Sequence, residues 1–186
     1  YVCERYRSIW QNVVVYGFGK IAKQTVATLT AFGMHVYVVS RHAGIGSIRR
    51  HGAEKIEPED VAAVADVVIN HQSADGLPVH YFDEAWFYSL KKRPLFINVG
   101  RGISVDENAL CDALDAGFVS GAGIDVLESE NPDLKKCKLL HRGNVILTPH
   151  SAFYSERSMN ELRTQACMNL VNHMRGETDY AGNRVV

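Results

Sequence analysis

The feature that most constrains this 186-residue chain is an apolar, β-branched run that stops at two closely spaced glycines. The run is Val13-Val14-Val15-Tyr16, and Gly17-Phe18-Gly19-Lys20-Ile21-Ala22 follows it directly. A short apolar run bounded by glycine predicts a buried strand of a parallel sheet. Segment 20–32 then has apolar residues at helical spacing and ends at Gly33, which predicts a helix. A strand, a tight turn and a helix in this order begin a βαβ unit.

The same alternation of short apolar runs and longer helical patterns continues to the end of the chain. With 12–16 as the first strand, the further predicted strands are 36–40, a brief 54–56, 66–70, 95–99, 122–126 and 145–147. Helices are predicted over 20–32, 58–65, 82–90, 106–116 and 155–175. Strands that alternate with helices require a parallel sheet covered on both faces. We therefore predict the α/β class, with a doubly wound, Rossmann-type sheet of six or seven strands.

The glycine-rich turn predicts a binding site for a dinucleotide. The first glycine, Gly17, allows the tight turn, Gly19 lets a pyrophosphate approach the backbone, and Ala22 is small enough for the helix to pack on the strand. The N-terminus of the helix offers N–H groups to the phosphates. A glycine turn without a ligand is the alternative, and the flanking strand and helix favour the nucleotide. The candidate cofactor residues here are Gly17, Phe18, Gly19, Lys20 and Ile21.

The end of the second predicted strand bears on which dinucleotide binds. A site for NAD usually has an acid at this position, which bonds the adenosine ribose, whereas this chain has Ser40 and Arg41. A serine hydroxyl and a guanidinium can bind a 2′-phosphate that an acid would repel. We therefore expect NADP to be preferred, with NAD possible, unless Arg41 simply faces solvent.

Three separated polar residues follow predicted strands in the second half of the chain: Arg101, Glu130 and His150. An arginine can grip a carboxylate and polarise a neighbouring carbonyl, and a histidine can donate or accept a proton. Glu130 would pair with His150 and keep its protonated form available near neutrality. Each residue could instead be structural or solvated, and Glu128 is a second candidate acid. Together the three suit reduction of a 2-oxo acid by a nicotinamide cofactor.

From about residue 12 to residue 176, the chain resembles the D-isomer-specific 2-hydroxyacid dehydrogenases, and within that family the D-lactate dehydrogenase branch. The matching segments are 17–22, Ile97-Asn98-Val99-Gly100-Arg101-Gly102, Asp125-Val126 with the later Glu130, and Thr148-Pro149-His150. The resemblance implies that Arg101, Glu130 and His150 are the catalytic residues of a hydride-transferring enzyme. Glu130, where the formate dehydrogenase branch has Gln, argues against that branch. The remaining candidate cofactor residues are His71, Ser73, Val99, Gly100, Asp125 and Ala152.

The chain also departs from the family pattern. Ser73 stands where the family usually has a proline, and Asn131 separates Glu130 from Pro132. No segment corresponds to the N-terminal substrate domain of the family, and residues 1–10 resemble the end of the helix that joins the two domains. We therefore expect a remnant of that helix at 1–10, an NAD(P)-binding domain at 11–153, and a C-terminal helix and tail at 154–186 that return toward the substrate domain.

Composition excludes several other classes of function. Twenty basic and twenty-one acidic residues leave a formal charge of −1, which does not favour a nucleic acid or an anionic membrane as partner. Four cysteines without a Cys-x-x-Cys pair and eight histidines without metal-ligand spacing predict reduced thiols, a cytoplasmic protein and no metal.

We expect an enzyme that acts on a small 2-oxo acid and forms a homodimer. A truncated, non-catalytic module for nucleotide binding or dimerisation is the main alternative. The spacing of Asp125, Glu130 and His150 disfavours an adenosylhomocysteine hydrolase type of enzyme.

Overall fold

The computed structural model describes residues 11–73 and 78–176. Within these residues, seven strands form one sheet in the order β3-β2-β1-β4-β5-β6-β7, and every neighbouring pair is parallel. The strands are β1 (Asn12–Tyr16), β2 (His35–Val39), β3 (Glu54–Lys55), β4 (Val67–Asn70), β5 (Leu95–Asn98), β6 (Gly121–Ile124) and β7 (Val145–Leu147). The predicted α/β class and Rossmann-type parallel sheet are confirmed.

Five helices lie between successive strands up to β6. They are α1 (Lys20–Ala31), α2 (Ile45–Arg49), α3 (Val61–Val64), α4 (Glu84–Ser89) and α5 (Glu107–Ala116), with 3₁₀ turns at Pro58–Asp60 and Gly102–Ser104. One more helix, α6 (Glu156–Met174), follows β7. The sequence did not predict α2, because its five residues include Gly46 and are too few to show a helical period. The helix predicted over 58–65 is a 3₁₀ turn followed by the short α3.

Two hydrophobic clusters pack against the sheet. One contains an aromatic group, with Tyr16, Phe82, Phe87 and Phe96 all fully buried. The hydroxyl of Tyr16 accepts the indole N–H of Trp86 at 3.2 Å, and burial raises the pKa of Tyr16 well above its usual range. The other cluster is aliphatic, and its members include Val13, Val15, Ala22, Val26, Val38 and Ile48. Both clusters are consistent with a sheet buried on its two faces.

The direction of winding reverses between β1 and β4. From β1 the chain continues to β2 and β3 on one side of the sheet, and from β4 it continues to β5, β6 and β7 on the other. In open parallel sheets, ligands bind outside the carboxyl ends of the strands at this reversal point. Gly17 follows β1 and His71 follows β4, so the predicted nucleotide turn lies at the reversal point.

The chain divides into two compact units, with the boundary between Pro149 and His150. In the second unit, α6 begins with a capping box in which the side chains of Ser155 and Ser158 each bond the other residue's backbone N–H. This helix agrees with the one predicted over 155–175, and none of its residues is buried. No helix of the described residues is long and apolar enough to cross a membrane. The expectation for residues 1–10, and the tail beyond residue 176, lie outside the described residues.

Candidate functional site

The turn after β1 requires glycine at its first position. Gly17 has φ +91°, which lies in the left-handed region that side chains rarely adopt. A β-carbon there would lie 3.1 Å from the carbonyl carbon and oxygen of His71. The Gly17 N–H donates to the Val39 carbonyl at 2.9 Å, and the His71 N–H donates to the Tyr16 carbonyl at 2.8 Å. The ends of β1, β2 and β4 are therefore joined around one glycine.

The second glycine faces open space. Gly19 is the N-cap residue of α1, and a β-carbon built on it would meet nothing within 4 Å. No side chain caps the helix, and its first turn contains no acid. Lys20 and Ile21 lie on this first turn and are exposed. The free space, the uncapped helix start and the absence of an acid in that turn fit an approaching phosphate group.

A cleft of about 580 Å³ lies beside this turn. Its described lining residues are Gly17, Phe18, Gly19, Lys23, Val39, Ser40, Arg41, His42, Ala43, Gly44, Ser47, His71, Gln72 and Ser73. These side chains include cations, imidazoles and hydroxyls, and no carboxylate is among them. Seven predicted cofactor residues are thus brought to one cleft, namely Gly17, Phe18, Gly19, Ser40, Arg41, His71 and Ser73, whereas Lys20 and Ile21 are not part of its described lining.

The end of β2 forms one wall of the cleft. The hydroxyl of Ser40 accepts the N–H of Ala43 at 3.2 Å, so it stabilises the turn that leads to α2. Arg41 is exposed and lines the cleft beside it. Elsewhere in the lining, the ammonium of Lys23 lies 5.5 Å from the ring centre of Phe18, which also packs edge-on against His51. The described lining of the cleft therefore includes two cationic side chains, Lys23 and Arg41.

The segment after β4, residues 71–73, lines the cleft at the reversal point. His71 Nε2 lies 3.0 Å from the hydroxyl of Thr25, and burial lowers the pKa of His71. The next residue, Gln72, was not predicted as a site residue, although it lines the cleft. Its side-chain oxygen is buried without a hydrogen-bond partner among the described residues. A lone glutamine in a loop gives no sequence signal, so only the structure could locate it.

A network of buried side chains fixes the segment that contains Arg101. The amide nitrogen of Asn70 donates to Asn98 Oδ1 at 3.0 Å and to Ser104 Oγ at 2.9 Å. The Arg101 carbonyl accepts Ser104 Oγ at 2.6 Å and Asn98 Nδ2 at 3.2 Å. All three partners are at most 1% exposed. Because buried polar groups must be paired, this network allows the Arg101 backbone few alternative positions.

The Arg101 side chain itself is exposed at the carboxyl end of β5. Its Nη1 donates to the Gly100 carbonyl at 3.0 Å, which folds the guanidinium back over the strand end. A β-carbon on Gly100 would lie 2.7 Å from the Gln72 carbonyl oxygen, so this residue packs directly against a wall of the cleft. Val99 donates its N–H to the Asn70 carbonyl at 3.2 Å. The predicted residues Val99, Gly100 and Arg101 therefore adjoin the cleft through the segment after β4.

We call residues 125–133, which follow β6, the acid loop. Asp125 is 6% exposed, donates its N–H to the Asn98 carbonyl at 3.0 Å, and accepts the Thr148 hydroxyl at 2.5 Å. A β-carbon on Gly102 would overlap the Leu127 carbonyl, so the Arg101 segment and the acid loop are in backbone contact. Glu128 and Glu130 are both exposed. The structure thus places Arg101 and the acid loop side by side on adjacent strand ends.

His150 and Ala152 belong to the second unit. His150 has a left-handed φ of +49°, and its ring packs edge-on against Phe153 with the centroids 5.7 Å apart. Both residues are exposed. Their positions beside Arg101 or Glu130 remain predictions. Across residues 11–73 and 78–176, no group of three or more His, Cys, Asp or Glu residues is arranged to hold a metal ion.

The chain is similar to known proteins over most of its length. It is 30% identical over 166 residues to the glyoxylate reductase of Thermococcus litoralis, with 88% of this chain and 49% of that protein covered. It is also 30% identical over 165 residues to the D-lactate dehydrogenase of Streptococcus pyogenes, with 81% and 49% covered. A solved D-lactate dehydrogenase from Aquifex aeolicus, complexed with NAD and lactic acid, superposes with a TM-score of 0.83 at 26% identity, covering 91% of this chain and 55% of that one.

The chain spans about half the length of these relatives. The profile of the family described as "D-isomer specific 2-hydroxyacid dehydrogenase, NAD binding domain" matches residues 6–152. That match covers most of the chain and includes the glycine turn, the Arg101 segment and the acid loop. The chain therefore belongs to the D-isomer-specific 2-hydroxyacid dehydrogenase family, of which it contains the NAD-binding domain.

Proposed function

We propose that the protein containing this chain is an oxidoreductase that reversibly reduces a small 2-oxo acid to the D-2-hydroxy acid with NAD(P)H. One observation carries the proposal: a buried amide network fixes Arg101 at a strand end that packs, through Gly100, against the wall of the nucleotide cleft. A guanidinium beside a dinucleotide cleft is suited to an anionic substrate that must meet the cofactor.

The proposed roles of the residues follow from their chemistry. When bound, the nicotinamide supplies or accepts the hydride. Arg101 binds the substrate carboxylate and polarises the adjacent carbonyl. His150 donates a proton to the carbonyl oxygen during reduction and accepts it in the reverse direction. Glu130 pairs with His150 and favours its protonated form. Val99, Gly100, Asp125 and Ala152 are proposed to contact the cofactor near its reactive end.

The residues of the cleft fit a dinucleotide and support a preference for NADP. Gly17 and Gly19 would admit the pyrophosphate, and the start of α1 would offer it N–H donors. Ser40 and Arg41 would take a 2′-phosphate, since the described lining of the cleft includes no carboxylate that would repel it. The family is NAD-binding, so NAD remains the second cofactor in this proposal.

The organisation of the whole protein is also part of the proposal. We propose that residues 11–153 bind the cofactor, that 154–186 return toward a substrate domain, and that 1–10 are the end of a connecting helix. We further propose a cytoplasmic homodimer. Light scattering that gives a monomer mass at micromolar concentration would overturn the dimer.

The experiment that tests the function is an assay of the full-length protein with pyruvate, glyoxylate or hydroxypyruvate. Oxidation of NADPH or NADH is expected, and His150→Ala should lower turnover by about 10²–10⁴-fold, as loss of a general acid typically does. Arg101→Ala should raise KM for the oxo acid and lower kcat together. Full activity in His150→Ala would contradict the mechanism. Cofactor binding without turnover by the wild-type protein would favour the alternative, a non-catalytic nucleotide-binding module.

A further inference from the structure

Glu128 is bonded to two other parts of the fold. Its backbone N–H donates to Glu107 Oε1 at 2.6 Å, and its own Oε1 lies 2.8 Å from His80 Nε2. The residue before it, Leu127, is the one whose carbonyl packs against Gly102. The acid loop is therefore fixed at 127–128, two residues before Glu130.

His80 is itself firmly placed. Its N–H donates to the Ile103 carbonyl at 2.9 Å, and its φ of +55° is unusual for a residue with a side chain. Its Nδ1 lies 3.8 Å from Asp106 Oδ2, whose carboxylate caps α5 by accepting the N–H groups of Asn108 and Ala109. His80 thus connects the segment after Arg101 with the acid loop.

We propose that Glu128 and His80 are positioning residues, which hold the acid loop so that Glu130 is presented at a fixed place relative to Arg101. The inference rests on the proposed function, in which Glu130 acts on His150. It also assigns different roles to the two glutamates of the loop: the Glu128 carboxylate contacts His80 and positions the loop, and Glu130 is the acid that serves the reaction.

The energetics favour positioning over global stability as the role of this pair. The His80 and Glu128 side chains are 35% and 43% exposed, and pairs this exposed contribute little to the free energy of unfolding. The surroundings are acidic, since Asp106 and Glu107 face the same imidazole and the same loop. The contact contributes little to the free energy of unfolding but joins two segments of the site. Its loss should therefore mainly make the acid loop more mobile.

The test uses the full-length protein and compares Glu128→Ala, Glu130→Gln and the double variant. In each, reduction of the oxo acid is followed as a function of pH. Glu130→Gln should move the descending limb of the pH profile to lower pH. Glu128→Ala should move it in the same direction by about half a pH unit or less, and should leave KM for the cofactor unchanged. The double variant should match Glu130→Gln alone, because Glu128 acts through Glu130.

Two further variants complete the set: Asp133→Ala is the matched control, and His80→Asn removes the partner of Glu128. Asp133→Ala removes another exposed acid of the same loop, one whose contacts with Lys135 and Lys136 are local, and it should behave as wild type. His80→Asn keeps a residue that tolerates the left-handed φ, so it should reproduce Glu128→Ala without disturbing the backbone.

Amide hydrogen exchange of residues 127–131 in the same proteins gives a readout that does not depend on activity. Exchange should become faster in Glu128→Ala and His80→Asn and stay unchanged in Asp133→Ala. Unchanged exchange in Glu128→Ala, or a double variant whose shift is the sum of the single shifts, would overturn the inference. If Glu130→Gln leaves the pH profile unchanged while Glu128→Ala speeds exchange, Glu128 positions the loop but Glu130 does not have the proposed role.

Discussion

The cofactor side of the sheet and the neighbouring ends of β5 and β6 are built in opposite ways. After β1 and β2 the chain leaves space: a β-carbon on Gly19 would meet nothing within 4 Å, and Arg41 is exposed. After β5 there is no space: a β-carbon on Gly102 would overlap the Leu127 carbonyl, and the buried Asn98 amide and Ser104 hydroxyl donate to the Arg101 carbonyl. One region therefore leaves its backbone accessible, whereas the other fixes the Arg101 backbone with many contacts.

The sharpest way to break this comparison is to add one methyl group to each region. Gly102→Ala should lower the free energy of unfolding by about 3 kcal/mol, because the Arg101 segment and the acid loop must move apart. Gly19→Ala should change it by less than about 1 kcal/mol, since the methyl enters open space. Urea unfolding of the two variants measures both values. Equal stability of the two would show that the second region is not tightly packed.

A second pair of variants compares the polar contacts of the two regions. Asn70→Leu removes the donor to Asn98 Oδ1 and Ser104 Oγ and the acceptor of the Gln72 N–H, and it should cost about 1–3 kcal/mol. Ser40→Ala removes one partly buried bond to the Ala43 N–H and should cost less than about 1 kcal/mol. The urea unfolding midpoints of the two variants measure both losses of stability. A larger loss of stability in Ser40→Ala than in Asn70→Leu would contradict the difference between the two regions.

The smallest expected effect is the pH dependence contributed by His71, at the floor of the open cleft. Burial lowers the pKa of His71 below its ordinary value of 6.5, so the unfolded chain binds this proton more readily than the folded chain. The free energy of unfolding should therefore fall as the pH drops through about 6.5, and level off below the folded-state pKa. His71→Gln should reduce this dependence. An unchanged slope between neutral and mildly acidic pH would contradict the burial of the imidazole.

The sheet could be predicted from the sequence because each strand is a compact apolar run and each turn has a local signal. The glycine turn after β1 is one such signal. A polar residue just after a predicted strand is another, and it located Arg101. The buried network could not be predicted, since Asn70 and Asn98 are 28 positions apart and meet only because β4 and β5 are neighbours. The His80–Glu128 contact joins residues 48 positions apart, and no local pattern relates them.

The catalytic roles of Arg101, Glu130 and His150 remain predictions. Arg101 and the acid loop follow the adjacent strands β5 and β6. His150 lies in the second unit, so its pairing with Glu130 depends on contacts between parts of the chain that local sequence patterns do not specify. That pairing remains a prediction, and the pH profile of Glu130→Gln tests it.

The central claim is that the backbone around Gly17 and Gly19 binds the cofactor while Arg101 acts on the oxo acid. Its most direct test is calorimetric titration of NADPH and NADH into the full-length wild-type, Gly19→Val and Arg101→Ala proteins. Gly19→Val should weaken binding of both cofactors by about tenfold or more, since its side chain fills the space proposed for the pyrophosphate. Arg101→Ala should change the Kd by less than about threefold. Unchanged affinity in Gly19→Val, or a larger loss in Arg101→Ala, would contradict the account.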